Sequence, residues 1–280
     1  QQEIDSKLDR YRRDVLMVRQ DLLVQQQNLN RLLADLRNEI ATAGMTPERK
    51  QQLAMHASAA LDSFYLEFEN ECRGDEAEIR EQLSVYLPQV QGCDALTPAT
   101  PLLDIGPGRG EWLALLRDEG IPASGVDISP VLAGHCTDLG LNVTVADALD
   151  HLAGLAEGSL GVITGFHVIE HMPFEELYAL VGECHRVLAP GGLLLFETPN
   201  PENLRVGSHT FYHDPSHRNP VTPTLIDFLL RHLGFDDTAI QRLHPYPESD
   251  KVPGIDPLTD RVNGALCGPQ DFAISANKPA

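Results

Sequence analysis

"LLDIGPGRGEWLALLRDEGIPASGVDIS", residues Leu102 to Ser129, is the stretch that decides the fold. An apolar run ends in an acid and then in a glycine-rich turn, Gly106-Pro107-Gly108-Arg109-Gly110, which opens a helix beginning near Glu111. A second apolar run closes on Asp127, 21 residues after Gly106. Glycine lets a backbone turn tightly and lie against a ligand, and Pro107 stiffens the turn. The order predicted is strand, loop, helix, strand.

The same alternation continues. Further strands are expected at "NVTVADA", "LGVITGF", "GLLLFET", near "TAIQRL", and at "DFAISANK". Strands alternating with helices predict an α/β fold, a doubly wound Rossmann-like sheet that is mostly parallel. The last two strands show no evident helix between them, so an antiparallel last strand is expected. In such a sheet, ligands bind at the carboxyl ends of the strands, where the strand order reverses. A carboxylate at Asp127 can accept both hydroxyls of a ribose there.

To this point a nicotinamide enzyme fits almost as well, because the dinucleotide fingerprint differs by a single spacer. Three features separate the two. Asp104, two residues before Gly106, would repel a pyrophosphate but hold a cationic amino-acid group. Asp147-Ala148 follows the third strand, where an acid can accept from the exocyclic amine of adenine. The antiparallel pair at the end is the third. A ligand with a ribose, an adenine and a cationic amino-acid tail is S-adenosylmethionine. The residues expected to bind it are Asp104, Gly106, Gly108, Arg109, Gly110, Asp127, Ile128, Asp147, Ala148, Phe166 and His167.

From Leu102 to Pro279 the chain resembles the class I S-adenosylmethionine-dependent methyltransferases. The motifs that carry the likeness are "LLDIGPGRG", "GVDIS", "VADA", "GFHVIEH" and "RVLAPGGLLLFETPN", in order and at ordinary spacings. A narrower likeness joins "RGDEAEIREQLSVYLP" and "ETPNPENLRVGSHTFYHDPSHRNP" to methyltransferases of bacterial surface polysaccharides, of the O-antigen type. That resemblance implies O-methylation of a saccharide hydroxyl on a bacterial glycan or its precursor. The alternatives are a small phenolic or carboxylate acceptor, or a coiled-coil scaffold whose domain binds cofactor without catalysis.

Methyl transfer to a hydroxyl needs alignment within about 3 to 3.5 Å and a way to remove a proton. After the fourth strand, His167, Glu170 and His171 fall at i, i+3 and i+4, one face of a helical turn. After the fifth, the stretch from Pro199 to Pro223 is long for a connection and carries His209, His213, Asp214, His217 and Arg218. Two chemistries are open. In one, His171 or a loop histidine such as His213 is the base, while Asn203, Arg205 and Arg218, with His209, Asp214 and His217, bind the acceptor. In the other, His167, Glu170 and His171 hold a divalent metal that acidifies the hydroxyl.

The chain has 280 residues and a formal charge of −20, from 41 acids against 21 bases. That balance argues against nucleic acid as a partner. No apolar run approaches the roughly 20 residues that span a bilayer. No signal peptide is read at the polar N-terminus, which begins with Gln; the chain reads as part of a longer cytoplasmic protein, peripheral to the inner membrane at most through partners. Five scattered cysteines without short pair spacing read as reduced thiols. Ile4, Leu8, Tyr11, Val15, Val18, Leu22, Gln25, Leu29, Leu32 and Leu36 step alternately by four and three, a heptad seam that predicts a coiled coil and a homo-oligomer. The expected division is therefore residues 1–43 as coiled coil, 44–95 as a helical segment packing on or lidding the site, and 96–280 as the catalytic domain.

Overall fold

The computed structural model describes residues 76–280. The heptad seam, the coiled coil over 1–43, Cys72 and the first part of the helical segment lie outside the described residues. The described chain opens with α1 (Glu76–Ser84) and α2 (Leu87–Gln91). Then come β1 (Leu102–Ile105), α3 (Glu111–Asp118), β2 (Ala123–Asp127), α4 (Pro130–Asp138), β3 (Val143–Val145), α5 (Ala148–Ala153) and β4 (Leu160–Phe166). After them follow α6 (Phe174–Val187), β5 (Leu188–Pro199), α7 (Leu204–Ser208), α8 (Pro223–His232), β6 (Asp236–Pro245), α9 (Pro257–Leu266) and β7 (Pro269–Asn277). Among the described residues, no helix is long and apolar enough to cross a membrane.

The seven strands form one sheet in the order β3-β2-β1-β4-β5-β7-β6. The pairs from β3 to β5 are parallel, and β7 runs antiparallel to both β5 and β6. The order reverses between β1 and β4, so the rim above these two strands is the topological switch point. Because β7 runs the other way, its first residues lie at the same rim as the last residues of β1, β4 and β5.

Period-2 alternation divides the core between the two faces of the sheet. Leu103, Ile105, Ile163, Leu194 and Phe196 pack with Leu177, Leu180, Ile226 and Leu230 of α6 and α8. Leu102, Val162, Leu193 and Leu195 face the other way, onto Trp112, Leu113 and Leu116 of α3 and onto Leu83, Tyr86 and Val90 of the leading helices. Strands covered on both sides read as unbroken apolar runs, which is why "LLLF" carried no alternation.

Three expectations change. The stretch from Pro88 to Pro101, whose Pro, Gly and Thr content predicts a linker, begins as helix α2, with Pro88 in its first turn, where a missing N–H costs nothing. The third strand is only three residues long. The antiparallel β6–β7 pair is present, but its connection contains α9. That helix has no buried residue, so no apolar stripe announced it; the available signal was Asp256-Pro257, whose Asp side chain caps Leu258 and Thr259.

Candidate active site

The same alternation places the polar groups of the site. Asp104 shares a face with Leu102, Thr164 with Val162, and Glu197 with Leu193 and Leu195. Asp104 lies opposite Thr164 in the β1–β4 register. Thr164 Oγ1 donates to Asp104 Oδ1 at 2.7 Å and accepts from Trp112 Nε1 at 3.2 Å. Three elements thus orient one carboxylate that is 1% exposed. Asp104, Gly106, Trp112, Phe166 and His167 line a cavity of about 330 Å³ at the carboxyl rim, together with Glu197, His217, His244 and Asp271.

The glycine turn has the backbone its sequence implied. Gly106, Gly108 and Gly110 all have positive φ, at 65°, 55° and 87°. A Cβ on Gly106 would lie 2.7 Å from Val168 Cγ2, and one on Gly110 would lie 2.6 Å from Leu141 Cδ1. Arg109 reaches back to the buried Glu111, with Nε to Oε1 at 2.6 Å. Asp127 is buried at the end of β2, and its Oδ1 accepts from Ser129 N at 2.8 Å. Ile128 beside it is 73% exposed, a large apolar side chain open to a flat ligand. Asp147 is the N-cap of α5, accepting from Leu149 N and Asp150 N through Oδ1. It therefore serves the fold as well as standing with Ala148 where an adenine amine is expected.

His167 follows β4 with φ 56°, in the left-handed region. The expected helical turn is a short 3-10 segment over Ile169–His171, and His167 stands before it. His167 Nδ1 is 3.3 Å from Glu170 Oε1, and Nε2 is 3.3 Å from Glu197 Oε1 and 3.9 Å from Asp271 Oδ1. Burial opposes a charge on the ring, but these carboxylates outweigh it and push His167 up to about 10. Burial would raise Glu170, and the charged His167 overcomes that and holds it down at about 2. Thr198 Oγ1 donates to Glu170 Oε2 at 2.9 Å. Tyr86 Oη donates to Glu197 Oε2, tying the leading helices to β5. Desolvation and the Glu197 charge raise the Tyr86 phenol far above its ordinary range, so it stays a donor.

The stretch after β5 is more ordered than a loop, with α7 and a 3-10 turn over Thr210–His213. Asn203 is buried and its amide is used on both sides, accepting from Arg205 N at 3.0 Å and donating to Gly268 O at 2.8 Å. It braces the fold and has no group left for an acceptor. Arg205 pairs with Asp250 at 3.0 Å and stacks 3.8 Å over Tyr246. His209 and His213 face each other at 3.2 Å on the exposed side and do not line the cavity. Asp214 Oδ1 accepts from Ser216 N and Oγ, and Ser216 Oγ meets His171 Nδ1 at 2.8 Å. Arg218 is exposed. Of the loop residues named from the sequence, only His217 reaches the cavity; burial lowers its pKa, and Nδ1 lies 2.6 Å from Phe211 O.

The expected metal trio does not form as a unit. Among the described residues, the groups of three whose ligand atoms lie within 4.8 Å of one another are Glu170, His171 and His217, and His167, Glu197 and Asp271. In the second group His167 is itself the cation. In the first, Glu170 Oε1 makes no hydrogen bond and has His167 Nδ1 at 3.3 Å as its ion-pair partner; one carboxylate and two imidazoles are a donor set that a divalent ion accepts.

Sequence reasoning missed Trp112, Thr164, Glu197, Tyr86, His244 and Asp271. Glu197 left a signal, an acid inside the apolar run "LLLFETP". Asp271 opens the expected antiparallel last strand, but its place at the rim depends on that strand lying between β5 and β6, which the sequence does not give.

Comparison with known proteins follows this geometry. The sequence model of a family described as a methyltransferase domain matches residues 26–240. A crystal structure of an S-adenosylmethionine-dependent methyltransferase from Archaeoglobus fulgidus is 33% identical, with a TM-score of 0.71, and the match covers 77% of this chain and all of that one. The 2-methyl-6-phytyl-1,4-hydroquinone methyltransferase of Synechocystis is 32% identical over 133 residues, 46% of this chain and 41% of that protein. The ubiquinone biosynthesis O-methyltransferase of Nitrosococcus oceani is 31% identical over 104 residues, 35% of this chain and 43% of that protein. The matched stretch thus spans less than half of either curated relative.

Proposed function

The chain belongs to the methyltransferase domain family and is an S-adenosylmethionine-dependent enzyme, and on that premise we propose that it methylates a hydroxyl of a polar, saccharide-like acceptor. Asp104 receives the cofactor's ammonium group, Asp127 the ribose hydroxyls, and Asp147 with Ala148 the adenine edge, while the backbone of Gly106, Gly108 and Gly110 lies along the amino-acid tail. The buried carboxylates also favour the sulfonium charge. Residues 96–280 form the catalytic domain; α1 and α2 cover it, since Ile79, Gln82 and Leu83 line the cavity.

One observation carries the acceptor class: Glu197, Asp271, His244 and Gln270 line the same cavity as Asp104. Carboxylates and amides are acceptors and donors for several hydroxyls at once. They are costly neighbours for a prenylated ring, which would strip water from these charged and polar groups without offering a hydrogen bond in return. The names of the Synechocystis and Nitrosococcus relatives favour a second reading, a small phenolic acceptor. In either reading, a divalent ion held by Glu170, His171 and His217 would supply Lewis acidity at the acceptor oxygen.

Methyl-labelled S-adenosylmethionine offered with a bacterial polysaccharide extract and, separately, with catechol tests the assignment. Label in the polysaccharide is expected. Transfer to catechol alone establishes the phenolic reading, and transfer to neither discards both. Loss of activity on chelation, restored by a divalent metal, would place an ion in the cycle.

A further inference from the structure

We infer that His244, held by Asp271, is the general base that takes the proton of the acceptor hydroxyl. This rests on the hydroxyl-acceptor reading above. β6 and β7 are paired with Leu243 opposite Asp271, which brings the end of one strand beside the start of the other at the cofactor rim. His244 has φ 55°, a backbone conformation that side chains rarely adopt. Gln270 Nε2 donates to the His244 carbonyl at 3.1 Å and holds that backbone in place. Strain of this kind persists where the surroundings fix it, and it clusters at functional sites.

The ring geometry sets the tautomer. His244 Nδ1 lies 2.9 Å from Asp271 Oδ2. A carboxylate only accepts, so in the neutral ring Nδ1 carries the hydrogen and Nε2 keeps its lone pair. Nε2 has no partner among the described residues, and both His244 and Asp271 line the cavity. Four histidines named from the sequence are committed: His167 is held charged between Glu170 and Glu197, His171 meets Ser216, and His209 and His213 meet each other. His217 is the rival within the cavity: its Nδ1 lies 2.6 Å from Phe211 O and its Nε2 makes no hydrogen bond, with Glu170 and Asp214 at 3.9 and 3.8 Å, but burial lowers its pKa and makes it the weaker base.

In the step, the acceptor O–H proton passes to His244 Nε2 as the oxygen forms a bond to the methyl carbon. The carbon–sulfur bond breaks with its electron pair on sulfur, which neutralises the sulfonium and leaves S-adenosylhomocysteine. The resulting imidazolium is stabilised by Asp271 and later loses its proton to solvent. The hydrogen bond to Asp271 raises the His244 pKa against the opposing effect of burial; the Glu197 charge raises it further, and charged His167 lowers it.

His244→Gly is the test, because glycine tolerates positive φ and leaves room for a small base. With labelled cofactor and the polysaccharide extract, turnover is expected to fall at least about 100-fold, and added imidazole to restore it. Calorimetry with S-adenosylhomocysteine, expected to match wild type, reports whether the variant is folded. Proton NMR should find the His244 ring titrating above 6.5 in wild type; in Asp271→Asn both that titration and the acid limb of turnover should move to lower pH. Full turnover by His244→Gly, or loss without imidazole rescue while product binding is intact, overturns the assignment. Imidazole rescue of His217→Ala with none for His244→Gly transfers the role to His217. If wild type methylates neither the extract nor catechol, the acceptor reading falls first and the base with it.

Discussion

At the scale of single residues, the organising fact is that one face of the sheet carries Asp104, Glu197 and Asp271 into the cavity, with Glu111 added from the start of α3. Asp104 is oriented by Thr164, which is oriented by Trp112. A hydrogen-bonded charge meeting a ligand ammonium contributes about 1.5 to 3 kcal/mol. Asp104→Ala should therefore weaken S-adenosylmethionine binding by about 10- to 100-fold, read by calorimetry. Thr164→Val keeps the carboxylate but removes its donor, so a smaller loss of about 10-fold is expected. Equal losses in the two variants would mean that the relay, rather than the charge, governs binding.

At the scale of elements, the turn between β1 and α3 has no room for side chains. Gly110 has φ 87°, and a Cβ there meets Leu141 Cδ1 at 2.6 Å and Cys136 Sγ at 3.0 Å. Gly110→Ala combines left-handed strain with overpacking and should cost about 2 to 4 kcal/mol in urea unfolding. Gly120, also at positive φ but with nothing within 4 Å of its Cβ, should lose only about 1 to 2 kcal/mol as alanine. A similar cost at both sites would show that close packing around the cofactor turn contributes little.

For the whole molecule, the charged network that joins β4, β5 and the leading helices makes stability depend on pH. His167 is raised from 6.5 to about 10. Its contribution is complete below its unfolded value of 6.5 and is lost as pH climbs through about 10. Glu197→Gln removes one of its flanking carboxylates. Breaking a buried pair should lower stability at pH 6 by about 3 kcal/mol and bring the alkaline decline closer to neutrality. Urea titrations from about pH 6 to 10 measure both effects. An unchanged alkaline decline in the variant would show that Glu197 does not hold the charge on His167.

The sequence by itself determined the strand–loop–helix order, the parallel sheet and the placing of Asp104, Asp127 and Asp147 at or just past the ends of β1, β2 and β3. These are local matters: apolar runs, positive-φ glycines, and acids at strand ends. It also named His167 and Glu170, because they lie close to β4 in the chain. Only the tertiary structure decided which groups face one another across the cavity. Glu197, Asp271, His244 and Tyr86 meet through strand pairing and parity, with 111 residues separating Tyr86 from Glu197. The tertiary structure also leaves Asn203, His209 and His213 off the cavity lining, since their partners lie in hydrogen bonds that spacing does not encode. Chain spacing fixes where a residue sits along an element; the insertion of the reversed strand β7 between β5 and β6 fixes what it meets.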